Sequence, residues 1–163
     1  GEQRFGHRGA NLRLADDWAT GKRLSRQKRS LAISTVRSFL FNEILAARVR
    51  HATWDCFVHG DLANLDGTGS VFEVVGIDSE LRRRCEEMDI HPAGVLAGAG
   101  SRMGPEPWQR ALDTGRVEPA SRSLRLPVRD LACESTEAGV VLTFTLGRGS
   151  FATAVLREVC EWS

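Results

Sequence analysis

Two stretches of this sequence hold residue types that could do chemistry. The first is Gly149-Ser150-Phe151-Ala152-Thr153-Ala154-Val155-Leu156-Arg157-Glu158. The run 140–146 ahead of it alternates: Val141, Thr143 and Thr145 fall on one face and Val140, Leu142, Phe144 and Leu146 on the other, as a half-buried strand requires. Gly147-Arg148-Gly149 then turns the chain into a helix with Ser150 as its expected N-cap and Ala152, Val155, Leu156 and Val159 as its apolar stripe. Phe151 is thereby placed at the helix mouth. An aromatic ring there, beside backbone N–H groups and the positive helix end, can stack on a flat ligand whose phosphate lies nearby, or it can serve as a hydrophobic staple. This stretch alone leaves both open.

The second stretch is Lys22-Arg23-Leu24-Ser25-Arg26-Gln27-Lys28-Arg29, five cations in eight residues with no acid. A segment of this kind contacts phosphates or lies solvated, and carries no sequence preference by itself. Its surroundings are basic too. Residues 1–50 hold 11 Lys+Arg against 4 Asp+Glu, a net of +7, so the remainder of the +1 chain holds 11 against 17, a net of −6. Such a concentration of charge fits a polyanion partner, with Arg4, Lys22, Arg23, Arg26, Lys28, Arg29 and Arg37 as the candidate RNA contacts, and equally fits a solvated basic helix face. Arg48 is a further helix arginine that could reach RNA.

Other chemistry finds little support. GxSxG, HExxH and P-loop patterns are absent, and His7, His51, His59 and His91 are scattered. Asp61 and Asp66 lack the ligand spacing of a calcium loop and read as turn formers. Gly98, Gly100 and Gly104 miss the dinucleotide-binding spacing by one position. Cys56, Cys85, Cys133 and Cys160 form no CxxC or short Cys-His pair, so they are expected to be reduced and mostly in the core. Neither a metal nor a cofactor is implied.

The elements that must position these groups follow from periodicity and punctuation. Residues 1–9, glycine-rich and basic, look too irregular for a helix. Asn11 is the expected cap of a short helix with Leu12, Ala15 and Trp18 or Ala19 inward, ending at Gly21. The most regular helix is expected over 30–49, where Ile33, Val36, Leu40, Ile44 and Ala47 recur at three- and four-residue spacing. Strands are expected within 56–65 and over 71–75, joined through Asp66-Gly67 as a hairpin. Asp78 or Ser79 caps a helix to about Met88, 91–100 reads as a loop, and a short helix surrounds 108–114. Pro127 argues for a sheet edge or a domain crossing.

With 163 residues and 17.9 kDa, the chain suffices for one domain or parts of two. It lacks an apolar run long enough to span a membrane and a secretory signal, and its opening looks like a cut in a longer protein. A reducing cytoplasm is the expected compartment.

Gly1-Glu2-Gln3-Arg4-Phe5-Gly6, Lys28-Arg29-Ser30, Arg37-Ser38 with Leu40-Phe41-Asn42, Gly60-Asp61, and the 149–158 run occur in an order and separation that resemble the TruD family of tRNA pseudouridine synthases. The resemblance implies an α/β (α+β) fold: a mixed-sheet catalytic domain, in pieces 1–23 and 127–163, interrupted by an inserted α/β domain over 24–126. It implies tRNA as partner and no cofactor. In the family a uridine in the D-stem region of tRNA, the thirteenth nucleotide, is flipped out, its glycosidic bond is broken by the action of an aspartate, and the base is rejoined through carbon. Phe151 matches a residue that contacts the target uridine. The Asn-Tyr-Phe that precedes the opening glycine in the family is not in this sequence, nor is the motif of the catalytic aspartate, so Asp16, Asp17 and Asp130 are not candidates for that role. The segment 102–116 is shorter than in the family. These departures imply that the chain alone is inactive; a non-catalytic RNA-binding piece is the alternative.

Overall fold

The longest of the described helices begins where its capping chemistry places it, earlier than the apolar pattern alone suggests. In the computed structural model, which describes residues 2–137, 139–147 and 149–159, Ser25 Oγ accepts a hydrogen bond from the Lys28 backbone N–H at 3.4 Å, and helix α3 runs over Arg26–Arg50. The cationic stretch is therefore a turn plus the first turn of α3, and not a linker. Ahead of it, the glycine-rich opening forms a helical turn, α1 (Glu2–Phe5), and a 3-10 turn (His7–Gly9), followed by α2 (Ala10–Ala19). The glycines stand at the breaks: Gly6 and Gly9 have φ of 72° and 71°. Gly9 occupies the α2 cap position expected for Asn11, whose Nδ2 instead donates to the Arg4 carbonyl at 2.9 Å.

Helix α3 is covered on two sides, by α2 and by the sheet. That is why it buries small and polar residues, Ala32, Thr35 and Ser38, along with Val36, Leu40 and Phe41. Ile33, Ile44 and Ala47 of the expected stripe are only partly buried. Val36 and Leu40 join Ala15, Ala97, Trp108 and Leu112 in one apolar cluster, where Trp108 Nε1 donates to Asp16 Oδ1 at 2.9 Å. Trp108 and Leu112 come from α5 (Glu106–Thr114).

The sheet is antiparallel throughout, in the order β2-β1-β3-β4. β1 (Leu62–Leu65) and β2 (Val71–Glu73) form the expected hairpin, and Asp78 caps α4 (Ser79–Glu86) through the Leu81 N–H. The segment expected as a loop contains the central strand β3 (Ile90–Leu96), with Ile90 to Gly94 buried. Pro92 is tolerated inside it because only its carbonyl is needed, accepting from Leu124 N at 2.8 Å. Gly94 is needed because a side chain there would press on Phe41 and Leu124, each 3.0 Å from the added carbon. Buried His91 is held by its Nε2 against Asp66 Oδ1 at 2.8 Å, so Asp66 does more than form a turn. β4 (Ala120–Ser123) is the outer neighbour of β3. A second cluster, Phe57, Ala63, Val74, Cys85 and Ile90, underlies the hairpin.

Gly98 shows how tightly the chain returns after β3. A Cβ there would lie 2.4 Å from Pro119 N and 2.5 Å from the Val117 carbonyl, both backbone atoms that cannot swing aside. Gly98→Ala is expected to destabilise the fold by about 3 kcal/mol, the upper end for overpacking a tight site, read as a lowered denaturant midpoint. An unchanged midpoint would mean that this return is pliable.

Gly1–Leu124 is one compact unit and Arg125–Ser163 another. The second contains β5 (Val128–Thr136), β6 (Gly139–Leu146) and α6 (Ala152–Val159). β5 and β6 pair antiparallel, with a register shift between Arg129 and Ala132 at Asp130, whose φ is 54°. The alternation in β6 has the expected phase from Leu142 onward: Leu142, Phe144 and Leu146 are half-buried, while Val141, Thr143 and Thr145 are exposed. Val140, expected on the inward face, is 64% exposed. Of the cysteines, Cys85 is in the core but Cys56 and Cys133 are exposed, against expectation, and Cys160 lies outside the described residues.

Candidate nucleic-acid interface

The candidate cations all belong to the first unit. Lys22, in the turn after α2, pairs with Asp17 at 2.9 Å on the surface. Arg23, Arg26, Lys28 and Arg29 are exposed. The last three sit in the first turn of α3, which contains no acid. A helix N-terminus carries a partial positive charge, so each cation there opposes the helix by a few tenths of a kcal/mol to about 1 kcal/mol, and an approaching anion relieves the cost. The first turn of α3 thus carries an electrostatic repulsion that a bound anion would relieve.

Arg4 and Arg37 are placed differently: Arg4 reaches α3 from α1, and Arg37 is a residue of α3 itself. Arg4 Nη1 donates to Ser34 Oγ at 2.6 Å, and Arg37 Nη2 donates to the Glu118 carbonyl at 3.3 Å. Arg37 Nε is buried without a hydrogen-bond partner, as is Ser38 Oγ one residue on. The sequence reading missed Arg122 of β4, whose guanidinium carbon lies 5.1 Å from the centroid of the Phe41 ring. Partial burial, and after it the charges of Arg4 and Arg37, hold the Arg122 guanidinium below the usual arginine range. Only the fold brings these three together; no spacing in the sequence announces it.

Arg48 is withdrawn from any RNA role. It is largely buried, forms a two-pronged pair with Asp61 at 2.7 and 2.9 Å, and donates to the carbonyls of Thr53 and Cys56. Asp61 is correspondingly a partner for a buried arginine as well as a turn residue.

In the second unit, Phe151 directly precedes α6 and is 40% exposed. Its carbonyl accepts from Ala154 N at 2.9 Å, so Phe151, and not Ser150, stands at the position before the first helical residue. Val155 is the buried member of the α6 stripe, and Val159 is 52% exposed. Asp16 and Asp17 are engaged by Trp108 and Lys22, and Asp130 lies at the register shift, which leaves all three in structural settings. Among the described residues there is no cluster of three or more His, Cys, Asp or Glu that could hold a metal ion.

A family model described as tRNA pseudouridine synthase D (TruD) matches residues 11–159. A protein of Methylococcus capsulatus named tRNA pseudouridine synthase D is 39% identical over 181 residues, covering 99% of this chain and 51% of its own length. One of Psychrobacter arcticus with the same name is 37% identical over 196 residues, covering 99% of this chain and 49% of its own length. The chain thus spans about half the length of the curated relatives it matches. A crystal structure from Methanosarcina mazei, assigned to tRNA pseudouridine synthase D, superposes with a TM-score of 0.64 at 19% identity, covering 96% of this chain and 44% of that one. That likeness carries the α+β fold.

Proposed function

The chain belongs to the TruD family of tRNA pseudouridine synthases, and from that premise we propose that it supplies, within a protein of its relatives' length, an RNA-gripping surface and part of the uridine pocket of an enzyme that converts a uridine of tRNA to pseudouridine. The observation that carries this reading is the family match, which runs over nearly all of the chain. The target is the D-stem uridine that the family acts on. A base inside a stem must leave the stack to be reached, and an aromatic ring compensates the lost stacking. Phe151, exposed at the start of α6, is suited to that part. Arg4, Lys22, Arg23, Arg26, Lys28, Arg29 and Arg37 hold the RNA backbone.

The nucleophilic aspartate is placed outside this chain, as the family resemblance implies; Asp16 and Asp17 are engaged by Trp108 and Lys22, which is in keeping with that placement. Residues 1–23 and 127–163 are assigned to the catalytic domain and 24–126 to its insertion. What supports the second junction is its position beside the boundary between the two compact units, at Leu124 and Arg125. No described helix is long and apolar enough to cross a membrane, and a cytoplasmic setting among tRNA is proposed.

Binding of unmodified tRNA to this chain across a salt series tests the reading. Affinity is expected to fall steeply with salt, with a slope near the number of phosphates neutralised, and no pseudouridine is expected to form. Salt-indifferent binding would overturn the RNA surface, and turnover by the chain alone would overturn the placement of the nucleophile.

A further inference from the structure

Ser34, Arg37, Ser38 and Phe41 recur at intervals of three, one and three along α3, and so share one face of the helix. Arginines from two other elements meet this face. Arg4 reaches it from α1 and bonds Ser34, while Arg122 reaches it from the edge strand β4 and lies over Phe41. Arg37 is between them, anchored by one nitrogen on the Glu118 carbonyl and with Nε buried and unmatched. Gly94, across from Arg122 in the β3–β4 register, leaves the room that seats the Phe41 ring under the guanidinium.

For Arg37 and Arg122 this arrangement leaves charge that an anion would balance. Among the described residues, no carboxylate pairs with Arg37 or Arg122. Like charges gathered at one place repel, and a buried donor left unmatched is unfavourable. The required ligand has one negative charge or more and several acceptor oxygens in a compact group, which is the description of a phosphate. Arg122 is only partly buried and keeps a solvent-exposed surface, so the cluster is open to a ligand arriving from outside.

We propose that Arg4, Arg37 and Arg122 form a pre-assembled site for one backbone phosphate of the RNA, with Arg122, held over Phe41, as the residue that fixes its position. The site rests on the tRNA-binding reading above and adds to it a specific, geometrically defined contact, distinct from the diffuse grip of the exposed Lys22 to Arg29 cations. A carboxylate from elsewhere in a protein of the relatives' length is the competing occupant.

The test compares wild type with Arg122→Met, which keeps the packing on Phe41 and removes the charge, and with Arg122→Lys. Unmodified tRNA is titrated at several salt concentrations and thermal midpoints are measured without RNA. Arg122→Met is expected to weaken tRNA binding about tenfold and to make the slope of log affinity against log salt shallower by about one. Its thermal midpoint should hold or rise, since repulsion is relieved. Arg122→Lys should restore the slope but only part of the affinity, because a point charge replaces a planar fork. Unchanged affinity and slope in Arg122→Met, with wild-type binding intact, would remove the phosphate site and leave the tRNA reading standing. Failure of wild type to bind tRNA would remove both. In a protein of the relatives' length, a midpoint lowered by Arg122→Met with unaltered tRNA affinity would assign the cluster to an internal carboxylate and overturn the proposal.

Discussion

Alanine in place of Phe151 is expected to cut tRNA affinity and pseudouridine formation by about ten- to a hundredfold in a protein of the relatives' length, as the loss of one base–aromatic stack of about 1–3 kcal/mol requires. Stability measured beside binding separates this from a packing role. Phe151 serves the start of α6 through its backbone carbonyl, which alanine retains, and its side chain is 40% exposed. The thermal midpoint should therefore move little. Phe151→Leu sharpens the comparison: leucine preserves most apolar contact but offers no flat face, so it should bind RNA nearly as poorly as alanine. If leucine restores full activity, or if alanine lowers the midpoint while RNA binding persists, Phe151 is a staple for α6.

The largest effect on stability is expected at the pair Arg48 and Asp61. Both side chains are close to fully buried, at 14% and 10% exposure, and the guanidinium is held by two carboxylate oxygens and two backbone carbonyls. Asp61 Oδ2 also accepts from Val58 N at 2.8 Å, so one carboxylate ties the end of α3 to the turn leading into β1. Asp61→Ala leaves a charged group buried without its counter-ion and an N–H without its acceptor, for a loss of about 3–5 kcal/mol. Replacing both partners, Arg48→Met with Asp61→Leu, should cost less than Asp61→Ala alone, because no charge is stranded. Chemical denaturation of the three proteins decides it. A loss below about 1 kcal/mol in Asp61→Ala would mean that water reaches the pair and screens it, as at an exposed site.

Much of this structure could be read from residue patterns, and the exceptions have identifiable causes. Helices α4 and α5 and the β1–β2 hairpin were legible because caps, prolines and Asp66-Gly67 mark them locally. β3 was not. His91, Pro92 and Gly94 each signal a loop in isolation, and each is explained only by a partner distant in sequence: Asp66, Leu124 and Phe41. The start of α3 was missed for the opposite reason, since cations at a helix N-terminus oppose its dipole and conceal the Ser25 cap. Of the candidate site, Phe151 was visible as an aromatic beside a glycine turn, and the exposed cations were visible as a run. Arg122 was invisible, because its importance comes from the β4 register and from the aromatic ring beneath it. Arg48 and Arg37 show the same limit from both sides: both are arginines on one helix, and only the fold gives one a buried carboxylate and the other an unmatched donor.

The most direct measurement is to incubate an unmodified tRNA transcript with a protein of the relatives' length that contains this chain, and to map pseudouridine along the product nucleotide by nucleotide. The expected result is one new pseudouridine in the D-stem region, strongly reduced by Phe151→Ala and absent when this chain is used alone. A tRNA left unmodified by the folded longer protein, or modified equally well with alanine at position 151, would contradict it.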